Sequence, residues 1–291
     1  MTVGARDWIG EQIRSRVIGA DPAAKNAAIF DASGPRWIPS DSPVRLVHAD
    51  ASMFIGGLRA LLLQSLHPLA MAGVAQHSDF RADPWGRLQR TAQFLAATTF
   101  GNVETAEQAV AIVRRVHERV VGIAFDGRPY AANDPHLLHW VHLAEADSFL
   151  TAYQRYGQRR LSTEEADQYL RDSAVVPRAL GVTDPPTSTT MLRRQLRDFR
   201  PELRGTREAR DAARFLLVDP PLPLAVRPAY LALGAAAVAL LPAWTRWPLR
   251  LPFLPVSEKL IAGPAGDAVT GVIRWSMTPR AEAKHAATIE A

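Results

Sequence analysis

Apolar residues return every three or four positions over five long stretches of this chain, and that spacing decides what it can fold into. Residues 50–66, 84–100, 104–122, 134–157 and 162–174 all show it, while the every-second-residue alternation of a half-buried strand is nearly absent. The starts of these stretches carry helix signals. Asp83-Pro84 places an acceptor at the cap and proline in the first turn, Asn133 or Asp134 with Pro135 repeats the arrangement, and Ser162-Thr163-Glu164-Glu165 has the form of a capping box. Gly101, Gly122, Gly157 and Gly181 follow the periodic stretches, where a left-handed residue is expected to end a helix. Short polar segments at 126–129 and 183–186 read as loops. The expected fold is all-α, a single globular helical domain without internal repeats.

A chain of 291 residues can bury a large core without covalent stapling. The absence of cysteine removes disulfide scaffolds, thiolate metal sites, iron–sulfur clusters and cysteine nucleophiles together. Any chemistry falls to His, Asp, Glu and Ser. The net charge of +5 is carried almost entirely by arginine, with Lys25, Lys259 and Lys284 the exceptions. Arginines concentrate at 193–214, but mixed with acids and with no aromatic but Phe199 among them, so a solvated helix face is expected and no nucleic-acid partner. Gly56-Gly57 lies inside a helical pattern and precedes no Lys-Ser/Thr, and no G-x-S-x-G elbow occurs, leaving nucleotide-dependent and serine-hydrolase chemistry unsupported. Residues 1–13 carry Arg6, Asp7 and Glu11 and no apolar run, so the expected location is the cytoplasm.

Composition changes near Asp219. Eight prolines and two tryptophans fall between residues 220 and 255, around an apolar run at 228–241 flanked by Arg227, Trp244, Arg246, Trp247 and Arg250. Fourteen residues fall short of the roughly 20 that cross a bilayer. The run reads as a core helix, with peripheral contact at the inner face of a membrane, or lining of a lipophilic substrate's entrance, left open. The chain divides into an N-terminal helical extension at 1–39, a catalytic domain at 40–255 and a C-terminal helical segment and tail at 256–291, frayed over 279–291.

Histidine placement is informative. Val110, Val113, His117 and Val120 recur on one face of the 104–122 helix, which points His117 inward. Such an imidazole is either a neutral core residue with one hydrogen bond or an axial ligand to haem iron, which needs a dry slot and one nitrogen donor. His136, His139 and His142 lie three apart on the helix opened by Asp134-Pro135; without an H-E-x-x-H glutamate, a metal site among them has weak support. His67 and His77 bracket a ten-residue segment and read as capping residues. On the 84–100 helix, Arg87, Arg90, Thr91 and Phe94 share a face that periodicity turns inward, where guanidinium groups require anions, either haem propionates or a partner carboxylate.

Four of these stretches, in order, resemble one family. Leu66-His67-Pro68 leads to Gly73-Val74-Ala75-Gln76-His77-Ser78, followed by Pro84-x-Gly86-Arg87-x-x-Arg90-Thr91, Arg115-Val116-His117-x-Arg119-Val120-x-Gly122 and Trp140-Val141-His142. Together, over roughly residues 40–250, they are similar to the catalytic domain of the MpaB-like oxygenases and latex-clearing (rubber oxygenase) proteins. The resemblance implies an all-helical fold binding haem b, dioxygen as co-substrate, and oxidation of a lipophilic, isoprenoid- or polyketide-like small molecule, including cleavage of carbon–carbon double bonds.

The resemblance also implies roles. His117 matches the proximal haem ligand and is the expected metal ligand, and Arg87 and Thr91 match residues of the haem pocket. His142 is placed near the cofactor, and Arg90, Thr91 and His77 stand as catalytic candidates. Arg90 occupies a position where rubber oxygenases carry a lysine that can ligate iron, which a guanidinium cannot do because it has no free lone pair. The family's catalytic glutamate has no counterpart between Met71 and Arg81. The competing expectation is a haem-free helical protein that binds lipid or lies on a membrane surface and shares only the fold.

Overall fold

The computed structural model describes residues 4–17, 19, 29–78 and 80–278. The expected fraying at 279–291 and residues 1–3, 18 and 20–28 of the expected extension lie outside the described residues. The fold is all-α apart from one short hairpin, as the periodicity requires. In chain order the helices are α1 (Ala5–Val17), α2 (Pro43–Ala49), α3 (Met53–Gln64), α4 (Pro68–His77), α5 (Pro84–Phe100) and α6 (Val103–His117). After the hairpin β1 (Val121–Ile123) and β2 (Pro129–Ala131) come α7 (Pro135–Tyr156), α8 (Thr163–Ser173), α9 (Val175–Leu180), α10 (Thr189–Phe199) and α11 (Arg207–Leu217). Helices α12 (Arg227–Ala239), α13 (Ala243–Leu249) and α14 (Gly263–Met277) complete the chain, the last entered through a π-turn at Glu258–Ala262.

The predicted caps form. Asp83 accepts from Gly86 N–H, Asp134 from His136 N–H, and Ser162 and Glu165 close a reciprocal capping box. Three expectations need correction. The 50–66 helix is shorter than expected, running from Met53 to Gln64, and α2, which lies outside every periodic stretch, precedes it at 92°. Asp50 leaves helical geometry there (φ −85°, ψ 149°), and its carboxylate accepts from Ser52 N–H and from the Arg274 guanidinium. The 104–122 helix stops at His117, because residues 121–123 pair antiparallel with 129–131, Gly122 opposite Tyr130. Gly101 and Gly157 end their helices in extended backbone (φ −72° and −67°), so of the four glycines only Gly181 is left-handed at φ 112°.

Helix α7 is the axis of the molecule, with Trp140, Leu143, Ala144, Ser148 and Ala152 fully enclosed. Helix α3 lies across it at a close approach that Gly56 makes room for, since a Cβ there would come within 3.0 Å of Phe149 Cδ1 and 3.2 Å of its Cα. On one side of this pair the main core joins Leu62, Leu63, Leu66, Trp140, Tyr153, Tyr169 and Leu170. On the other, Ile55, Ala152 and Tyr156 pack against Leu233, Ala236 and Ala237 of α12 and Val269 and Ile273 of α14. The apolar run 228–241 is therefore a core helix along one face. Among the described residues no single helix is long and apolar enough to cross a membrane; α2 with α3, and residues 224–239 with α13, pass only as bent pairs.

Arg59 fastens the crossing. It is 2% exposed, and its guanidinium donates to Ser148 Oγ (2.7 Å), Asp147 Oδ2 (2.7 Å) and the Leu240 carbonyl (3.0 Å), so α3, α7 and the end of α12 share one cation. Replacing it leaves a carboxylate without its partner and a buried hydroxyl and carbonyl without a donor. Arg59→Met is expected to lose about 3 kcal/mol of stability in urea melts. A loss below about 1 kcal/mol would mean that apolar packing alone holds the crossing.

Candidate functional site

Polar groups gather along one side of α7 where it passes α2, α3 and α8. Glu145 is enclosed by protein, and Gln64 Nε2 donates to its Oε1 at 3.3 Å. Burial pushes its carboxyl up to about 7. One turn earlier, His142 is held down to about 3 by burial, with a smaller contribution from His139, and its buried Nε2 has no hydrogen-bond partner. Both side chains are half-buried and closely surrounded by protein. Tyr169 of α8 faces the same region: burial and the nearby Glu145 charge raise its phenol, so it stays protonated. His48 of α2 joins the group through Tyr169 Oη (3.3 Å from Nε2) and Thr99 Oγ1 (2.8 Å from Nδ1). Burial holds His48 down to about 4. This side of α7 thus presents neutral imidazoles, a neutral phenol and a carboxyl poised near neutrality.

The residues singled out by sequence are distributed differently. His117 occupies the last turn of α6, half-buried, with its basicity lowered by burial and with no side-chain partner among the described residues. Arg87 is half-buried and donates to Ser78 Oγ at 2.7 Å; burial, then the charge of Arg90, makes its guanidinium less basic. Ser78 is also a wall of a pocket of about 240 Å³ lined by Met71, Ala75, Phe80, Arg81, Glu208 and Asp211. The common inward face expected for Arg87, Arg90, Thr91 and Phe94 does not form. Arg90 is exposed and pairs with Asp83 at 3.3 Å, and exposed Thr91 donates to the Arg87 carbonyl within its own helix. The physical reason is that α5 packs on α6 and α1 through other residues, and buries only Ala97, Thr98 and Thr99. His77 is exposed, its Nε2 3.1 Å from the Val121 carbonyl and its ring edge-on to Tyr130.

The histidines of α7 separate. His139 reaches Gln195 Oε1 at 3.4 Å, whereas His136 faces Glu202 Oε2 at 2.9 Å. His67, 1% exposed, faces the same oxygen at 3.3 Å. It stands at the N-cap position of α4 but makes no cap bond, so its capping role is not observed. Glu145 was visible in the sequence as the residue three positions after His142. His48, Tyr169 and Glu202 left no such trace, because only folding brings residues 48, 145 and 169, or 67, 136 and 202, together.

Whether haem suits this chain turns on the donor chemistry. His117 and His142 each offer a neutral nitrogen without a hydrogen-bond partner among the described residues, the state in which imidazole ligates a metal. Residues 45–275 match the family described as "ER-bound oxygenase mpaB/B'/Rubber oxygenase, catalytic domain". No curated protein and no solved structure gives a significant match.

Glu145 and His142 make opposite contributions to stability as pH changes. Folded Glu145 keeps its proton to about pH 7 while the unfolded carboxyl releases it near 4.5, so its contribution is full below 4.5 and lost as pH rises through 7. Folded His142 stays neutral down to about pH 3 against 6.5 unfolded, so its contribution is full above 6.5 and lost as pH falls toward 3. Urea melts of Glu145→Gln should match wild type at pH 4.5 and gain up to about 3 kcal/mol on it by pH 8. His142→Gln should gain on wild type as pH falls from 7 to 4. Parallel stability curves for all three proteins would show that neither group is held away from its ordinary titration.

Proposed function

Because this chain belongs to the catalytic-domain family of the ER-bound oxygenase mpaB and the rubber oxygenases, it is an oxygenase domain, and we propose that it oxidises a lipophilic small molecule with dioxygen at haem b held by His117. The substrate class is isoprenoid- or polyketide-like, and oxidative cleavage of a C=C bond is the proposed outcome. The observation that carries the reading is the pairing of this family membership with a half-buried, neutral, partnerless imidazole at His117. Bound haem supplies an iron centre that activates dioxygen. His117 offers the axial nitrogen, and its lowered basicity keeps that nitrogen free of a proton at neutral pH. Arg87, half-buried and held by one hydroxyl, is the cation for a propionate or a substrate carboxylate. Arg90, Thr91 and His77 stay with the proposal as catalytic candidates, and His142 as a cofactor contact.

Glu145 adds a role that the sequence motifs do not supply. A carboxyl pushed up to about 7 can accept or return a proton near neutral pH, and Gln64 orients it by donating to Oε1. Tyr169 and His48 close off the same region without adding charge. Water-poor walls strengthen these interactions and protect a reactive substrate.

The competing reading, a lipid-binding or membrane-surface protein without haem, is favoured by exposed apolar side chains late in the chain. Trp247 is 90% exposed, and Leu254, Val256, Leu260 and Ile261 are also exposed, beside Arg250 and Lys259. In the proposed function this segment is a peripheral contact with the inner face of a membrane, through which a lipophilic substrate arrives.

Protein expressed with a haem precursor should show a Soret band that His117→Ala loses and His142→Ala retains. Loss in His142→Ala with retention in His117→Ala would transfer the ligand role to His142, and a colourless wild type carrying lipid would favour the competing reading. In flotation with anionic vesicles, wild type should rise with the lipid and a Trp247→Ser, Leu260→Ser double variant should remain at the bottom. Equal flotation of the two would remove the membrane role of this segment.

A further inference from the structure

A second set of donors converges that shares no residue with the group around Glu145 or with the His117 reading. His67 Nε2, His136 Nε2 and Glu202 Oε2 all lie within 4.8 Å of one another. They come from three distant parts of the chain: the residue before α4, the first turn of α7, and the 3₁₀ turn Arg200–Glu202 that follows α10. Both imidazoles address one carboxylate oxygen, at 3.3 Å and 2.9 Å. An ion bonded to nitrogen and oxygen at about 2.0–2.2 Å sets its adjacent ligands about 2.9–3.4 Å apart. The two histidine–carboxylate separations already have that value.

The surroundings hold the donors in place without an ion. Phe199 stacks on the His136 ring (centroids 4.5 Å apart, 26° between planes) and meets the His67 ring edge-on at 6.3 Å. The His136 backbone N–H is fixed by the Asp134 cap at 2.8 Å. Arg204 N–H donates to the Leu66 carbonyl at 2.7 Å, tying the chain just after Glu202 to the residue before His67. Arg128, the nearby cation, feels the Glu202 charge but spends its hydrogen bonds on Asp126, at 2.9 and 2.7 Å, and among the described residues the Glu202 carboxylate is bonded to the two imidazoles. His67 is buried, while His136 is exposed and Glu202 stands at the surface, so the fourth side of the group opens to water.

We propose that His67, His136 and Glu202 form a mononuclear site for a divalent first-row transition-metal ion, Zn²⁺ or Fe²⁺ by its donor set, which keeps at least one water ligand. Two imidazoles and one carboxylate with open positions suit these ions and not Ca²⁺ or Mg²⁺, which prefer all-oxygen shells. The ion clips the starts of α4 and α7 to the turn after α10. The site is independent of the haem reading and would stand if that reading failed.

Zn²⁺ is the probe, because it is not confused with haem iron. Full-length, tag-free protein is treated with a chelator, desalted and titrated with Zn²⁺ by calorimetry. One ion per chain is expected, with a rise in melting temperature. Glu202→Gln and His136→Ala, both at the surface and compatible with folding, should each weaken binding by at least about tenfold, whereas His139→Ala, on the same helix but bonded to Gln195, should bind as wild type. Co²⁺ in place of Zn²⁺ should give visible d–d absorption that both ligand variants lose. No saturable Zn²⁺ binding, or the same affinity in wild type and both ligand variants, would overturn the assignment.

Discussion

The crossing of α3 over α7 sets the position of Glu145 and of the histidine–carboxylate cluster. Gly56 lets the two backbones approach, and Arg59, buried with its charge, is tied to Ser148, Asp147 and the Leu240 carbonyl. A buried cation with its partners in place restricts how the helices can sit, because any slip leaves a charge or a polar atom unsatisfied. From this crossing Gln64, at the end of α3, reaches Glu145 one way, while the turn after it delivers His67 toward His136 and Glu202 the other way. Glu145 and the histidine–carboxylate cluster are thus set by the same packing.

The group gathered around Glu145 is polar without carrying a fixed charge. His142 and His48 are held neutral by burial, Tyr169 keeps its proton, and Glu145 titrates near neutrality, where its ordinary range would make it an anion. A single buried carboxyl at the edge of ionisation is a group that can exchange a proton during a reaction at little cost in stability. The outer surface is reversed in character toward the C-terminal end of the chain, where Trp247, Leu260 and Ile261 face solvent beside cationic side chains. Both features, the uncharged group around Glu145 and the exposed apolar surface, are ones the proposed oxidation of a lipophilic substrate would use.

The helices were legible because periodicity and caps are local. Asp83, Asp134 and Ser162 cap as their spacing requires, and the 84–100 stretch is α5 to the residue. Helix α2 ahead of Asp50 was not legible, and the charge that holds the turn after it comes from Arg274, more than two hundred positions away. The hairpin at 121–131 escaped for a related reason: its strands are three residues each, too short to show alternation. Part of the site could be read from spacing, as with His142 and Glu145 on one face of α7. The inward turn expected of Arg90 and Thr91 failed because helical periodicity tells which residues share a face, not which face a neighbour will cover. His67 looked like a capping residue from its place before Pro68, and only the arrival of Glu202 gives its ring a different partner.

Anomalous diffraction at the iron edge, from crystals of protein expressed with a haem precursor, tests the central claim most directly. The account predicts an iron peak at bonding distance from the His117 ring, with porphyrin density around it. Porphyrin iron bonded to another residue, or crystals of folded protein with no iron beside His117, would contradict it.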